Sequence, residues 1–106
     1  MMKKLLAIVF LMPAFVFASE NEVAITIKDH KFEPAQVVVP AGKKIKLLIE
    51  NQDATPEEFE SHVLNREKVI AGNGKATIFI GPLDSGSYNF FGEFNASTAQ
   101  GVIVAK

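Results

Sequence analysis

Apolar and polar residues alternate along much of the chain with a period of two. Val23, Ile25 and Ile27 interleave with Ala24, Thr26 and Lys28, the pattern of a strand with one buried face. Ile45, Leu47 and Ile49 interleave with Lys46, Leu48 and Glu50, and Ala76, Ile78 and Ile80 share one face of a later segment. Val37-Val38-Val39 is a β-branched run stopped by the turn signal Pro40-Ala41-Gly42. Segments 87–91 and 101–105 supply two last strands. Between them, 30–34 turns the chain, 51–56 is polar and loop-like, 57–64 is less regular, and Val69-Ile70 is a short apolar run. Gly72-Asn73-Gly74 contains the Asn-Gly pair that favours a type I′ hairpin turn, and Gly81-Pro82 with Ser85-Gly86 marks another reversal. After residue 18 no segment of useful length has helical periodicity. Short strands at turn spacings of about 8–12 residues predict an all-β Greek-key β-sandwich.

The first stretch breaks this pattern. Lys3 and Lys4 precede an apolar run from Leu5 to Phe17, and Val16-Phe17-Ala18 offers small or branched residues before the polar Ser19-Glu20-Asn21-Glu22. That is the layout of a secretory signal peptide, too short for a membrane span of roughly 20 residues. Residues 1–18 are therefore expected to be removed, leaving one domain over 19–106 that is periplasmic and not inserted in the membrane. That domain holds nine basic and twelve acidic residues, a balance that disfavours nucleic acid and anionic membrane as partners. The chain has no cysteine, which excludes a disulfide scaffold, a thiolate metal site and a cysteine nucleophile. Nearly half of the chain is apolar, and of its nine phenylalanines six follow residue 18, which makes a sufficient hydrophobic core plausible at this size.

Two segments carry candidate chemistry: Asn51-Gln52-Asp53-Ala54-Thr55-Pro56-Glu57-Glu58-Phe59, and Tyr88-Asn89-Phe90-Phe91-Gly92-Glu93-Phe94-Asn95 leading to Gly101-Val102-Ile103-Val104. Their layout resembles the two ligand-bearing stretches of blue-copper proteins, the cupredoxins. Carried over position by position, the resemblance puts Glu57 at the first histidine, Gly92 at the cysteine, Asn95 at the second histidine, and Ala99 or Gln100 near the methionine. The His₂Cys set of a blue-copper centre is missing, so electron transfer through such a centre is not expected. The runs Glu57-Glu58-Phe59-Glu60-Ser61, Arg66-Glu67-Lys68-Val69-Ile70, Gly81-Pro82-Leu83 and Phe90-Phe91-Gly92-Glu93-Phe94 are similar to the EfeO-type cupredoxin-like family. That resemblance implies a periplasmic domain that binds copper or ferric iron and assists ferrous-iron uptake, with a membrane iron permease or another periplasmic iron-uptake protein as partner. It also leaves open a redox accessory that oxidises ferrous iron.

In such a sandwich the two segments meet at one end, gathering Glu57, Glu58, Glu60, Glu93 and Asn95, with Asp53 nearby. These five are the candidate metal-binding residues. Alternation along an extended segment turns Glu57 and Phe59 inward and Glu58 and Glu60 outward. Oxygen donors suit Fe³⁺, Mn²⁺ or Ca²⁺, and Cu²⁺ accepts mixed oxygen and imidazole sets to which His30 or His62 would contribute. The competing readings are ordinary ones. In one, the carboxylates are solvated surface or pair with Arg66 and Lys68 at no more than about 1 kcal/mol each. In another, they dock a basic partner without any metal. His30 packs on Phe32 and His62 faces solvent in those readings. No nucleophile with a histidine–carboxylate partner and no phosphate-cradling loop is recognisable.

Overall fold

The structure is a computed structural model, and it describes residues 21–106. The signal-peptide expectation lies outside the described residues. Among the described residues nine strands run in chain order: β1 Glu22–Lys28, β2 Lys31–Glu33, β3 Gln36–Val39, β4 Ile45–Asn51, β5 Glu57–Ser61, β6 Arg66–Ile70, β7 Lys75–Ile80, β8 Gly86–Gly92 and β9 Gln100–Ala105. They form two mixed sheets, one ordered β2-β1-β4-β7 and the other β3-β9-β8-β5-β6. A single 3-10 turn, Glu93–Asn95, separates β8 from β9.

The period-two pattern is what closes the sandwich. Ile25, Ile27, Ile45, Leu47, Ile49, Ile78 and Ile80 face inward from one sheet, and Val37, Val39, Phe59, Ile70, Phe90 and Ile103 from the other. Three phenylalanines knit the layers together. Phe59 stacks on Phe90 at 5.0 Å between ring centroids, and Phe32 meets Phe90 edge-on at 4.9 Å. Such aromatic contacts add about 0.5–1.5 kcal/mol each beyond the area they bury.

Two turns differ from the sequence expectation. Asp29 and His30 both have positive φ, 54° and 60°. They form the tight two-residue connection between β1 and β2, which pair Lys28 with Lys31. The chain therefore reverses at 29–30, and 31–33 is a strand. The Asn-Gly pair does not join a hairpin. Only Asn73 has positive φ there, whereas a type I′ turn needs it at both central residues. The flanking strands β6 and β7 belong to different sheets. The loop is held by other contacts: Asn51 N–H donates to the Gly74 carbonyl, and a Cβ on Gly72 would run into the Ala54 carbonyl. The irregular-looking 57–64 is a regular strand as far as Ser61, paired with a β6 longer than the Val69-Ile70 run.

Gly101 lies over the Phe90 ring, and a Cβ at that position would land inside it. The ring is fully buried and packed against Phe59 and Phe32. Gly101→Ala is expected to destabilise the fold by about 1–3 kcal/mol, read as a lower urea midpoint with unchanged slope.

Candidate metal-binding end of the sandwich

The loops 29–30, 51–56 and 93–99 come together at one end, held by side chains. Asn51 is fully buried. Its amide donates to the carbonyls of Thr55 (2.9 Å), Ala71 (3.2 Å) and Ile70 (3.3 Å), while its Oδ1 accepts the Asp53 N–H. Asp53 in turn accepts the N–H groups of Asp29 and His30 at 2.8 and 3.0 Å. The backbone N–H of His30, chief among these, holds the Asp53 carboxyl below its ordinary value. His30 Nδ1 lies 3.6 Å from Asp53 Oδ2, and the Thr98 hydroxyl donates to the His30 carbonyl. His30 thus fastens the β1–β2 turn to both of the other loops.

The structure divides the five candidate residues into two groups. Glu57 and Asn95 turn to each other. Glu57 is only 1% exposed. Its Oε1 accepts the N–H of Phe94 at 2.8 Å and of Glu58 at 2.9 Å, and its Oε2 accepts the Asn95 side-chain amide at 2.8 Å. Gly92 and Ala99 complete this pocket. An ideal Cβ on Gly92 would lie 2.6 Å from Glu57 Oε2 and 2.8 Å from the Ala99 Cβ. Burying a carboxyl is costly unless its oxygens are bonded, and here each oxygen is.

Glu58 and Glu60 point to the other face of β5, where they meet Glu67. Glu60 and Glu67 are direct cross-strand partners. Glu58, Glu60 and Glu67 each place a carboxylate oxygen within 4.8 Å of the others. His62 Nδ1 lies 3.7 Å from Glu60 Oε2, and its exposed ring tilts over Phe91 at 5.4 Å. Partial loss of hydration, then repulsion from Glu67, raises the Glu58 and Glu60 carboxyls above their ordinary value of 4.5. Glu93 is exposed on the 3-10 turn and acts on Glu58 by charge. Arg66 does not serve these acids as expected. Its Nε donates to the Phe79 carbonyl at 2.9 Å, and its Nη1 to those of Asn65 and Leu64. Of the phenylalanines, Phe90 is buried, Phe91 half-buried and Phe94 exposed.

Glu67 is the residue that sequence reasoning left aside. Its signal was the hairpin: with 57–61 read as a strand and Asn65 (φ 57°) turning the chain, Glu67 must stand opposite Glu60.

Comparison with known proteins agrees with this geometry. The profile of the cupredoxin-like domain family matches residues 2–105. The chain belongs to the cupredoxin-like domain family. An uncharacterized protein of Rickettsia prowazekii (strain Madrid E) is 53% identical over 83 residues, covering 78% of this chain and 66% of that protein. Auracyanin A, a blue copper protein from Chloroflexus aurantiacus, superposes with a TM-score of 0.69 at 13% identity, over 80% of this chain and 98% of that one. The metal-binding domain of the Streptococcus pneumoniae D39 Cu(I)-exporting P-type ATPase CopA gives a TM-score of 0.68 at 13% identity, over 80% and 84%. At these identities the structural likeness speaks for the fold.

The cupredoxin-like family implies copper, and the pocket at this end does not fit a blue-copper ion. In the correspondence implied by the resemblance, Gly92 stands at the thiolate position and Ala99 or Gln100 near the methionine, and the Glu57 carboxylate packs against Gly92. Among the described residues, Glu58, Glu60 and Glu67 on the outer face are the acidic group close enough together to hold an ion.

The raised carboxyls there carry a sign. Groups that bind protons more tightly when folded contribute stability that is full below their ordinary value near 4.5 and lost as pH rises through their raised values. Glu67→Gln removes the facing charge. It should raise the melting temperature at neutral pH and leave it nearly unchanged near pH 4, where roughly half or more of these carboxyls are protonated. An equal shift at both pH values contradicts the repulsion.

Proposed function

We propose that this cupredoxin-like domain is a periplasmic metal-binding protein of iron acquisition, which takes up a ferric or cupric ion on its outer face and passes it to a membrane permease or another periplasmic protein. The observation that carries this reading is the convergence of Glu58, Glu60 and Glu67 within 4.8 Å, with an imidazole at its rim. Like charges this close repel one another, and a cation reverses the sign of that term. Carboxylates with one imidazole favour Fe³⁺, Mn²⁺ or Cu²⁺ over Cu⁺. An open, half-exposed site suits an ion that must leave again. The similarity to EfeO-type domains supports the iron-uptake role and the periplasmic location. Glu57 and Asn95 do not ligate in this reading, because both Glu57 oxygens accept hydrogen bonds and the Asn95 amide nitrogen donates to one of them.

A second reading has one observation in its favour. Val69 and Phe94, 54% and 51% exposed, are apolar residues on the elements that carry Glu67 and Glu93. A basic partner with an apolar centre would match such a surface without any metal.

Titration calorimetry of the 19–106 domain with Cu²⁺, Mn²⁺ and ferric citrate separates the two. Metal binding should be tighter than about millimolar, roughly −4 kcal/mol. Glu58→Gln, Glu60→Gln and Glu67→Gln should each weaken it about tenfold or more, at least ~1.4 kcal/mol. No heat with any of the three ions removes the metal reading. Full binding by the triple glutamine variant moves the site elsewhere.

A further inference from the structure

We propose that Glu57 is this chain's own replacement for the metal ion of the pocket: its carboxylate permanently occupies the space, ties the surrounding backbone together, and thereby selects against copper at that position. The inference does not depend on the outer-face reading. A metal at such a position joins side chains from distant segments into one rigid unit. Here one side chain does the same with reversed polarity. Three N–H donors, from Glu58, Phe94 and Asn95, converge on a single carboxylate. Two of them come from the 3-10 turn, 37 and 38 residues further along the chain. The donors point inward at a carboxylate, an arrangement fitted to an anion that adds no ligand atoms for a cation.

Gly92 is the necessary counterpart. A Cβ there would sit 2.6 Å from both Cδ and Oε2 of Glu57. The end of a glutamate normally moves aside at little cost. This one is held by its hydrogen bonds and is buried, so it cannot. Glycine at 92 and glutamate at 57 therefore form a coupled pair: each residue is tolerated because the other is present. Gly92 N–H also donates to the Ala99 carbonyl at 2.9 Å, so movement at 92 carries the whole 93–99 loop with it.

Two measurements test the proposal. The first keeps Glu57 and silences the outer face. In the E58Q/E60Q/E67Q protein, added Cu²⁺ should leave the amide resonances of Gly92, Asn95 and Ala99 unbroadened and the melting temperature unmoved. Selective broadening of those three amides, lost on Glu57→Gln, would show that Glu57 binds metal and would overturn the proposal. The second is a double-mutant cycle on thermal or urea unfolding. Glu57→Ala and Gly92→Ala should each destabilise. The double variant should be about tenfold more stable in its unfolding constant than additivity gives, within the range found for residues in contact. The contact of a Cβ at 92 with Ala99 is common to both arms and cancels. Strict additivity would overturn the coupling. Failure of the outer face to bind metal would leave both results untouched.

Discussion

The functional end of this domain depends on one buried carboxylate. Glu57 begins β5 at a position where the alternation of the strand turns its side chain into the sandwich, on the same face as the buried Phe59. An unbonded carboxyl at such a place would cost several kcal/mol. The 93–95 turn supplies what it needs, with the Phe94 N–H and the Asn95 amide aimed at its two oxygens. Neither element would hold its place without the other. The three-residue 3-10 turn is too short to be stable by itself, and the carboxyl would seek water.

Everything on the outer face follows from that inward choice. Because successive residues of a strand face opposite ways, fixing Glu57 and Phe59 inside fixes Glu58 and Glu60 outside. The antiparallel partner then sets Glu67 opposite Glu60. Like charges directly opposite in a sheet are destabilising, and Arg66, one residue away, is engaged with carbonyl oxygens. The outer face thus keeps an electrostatic cost that the inner one has resolved by hydrogen bonding. The same residue type plays opposite parts in adjacent residues: Glu57 is an internal tie where donors surround it, and Glu58 a source of repulsion where other acids do.

The loops around this end are fixed by polar side chains acting on backbone. Asn51 reaches three carbonyls, Asp53 holds the 29–30 turn, and Thr98 closes the circle onto His30. Apart from the Asn51–Thr55 bond, these contacts join segments far apart in the chain. The result is a rigid rim in which the position of each loop depends on the others, as a site held by short loops on a sandwich requires.

Alternation, β-branched runs and turn residues were enough to establish strands, the sandwich and the inward set Ile25, Ile27, Ile45, Leu47 and Ile49, because burial on one face of a strand writes a period of two directly into composition. The absence of cysteine ruled out a thiolate site for the same local reason. β5 was harder to read, since a buried glutamate and a buried serine stand where apolar residues mark other strands. The Asn-Gly turn misled because turn chemistry specifies a backbone conformation and not which strands it joins. The placement of Glu57 against Gly92, the contact with Asn95 and the recruitment of Glu67 were decided only by tertiary structure. Each requires a register between segments far apart in the chain, and register is set by the packing of the whole core rather than by the residues that meet.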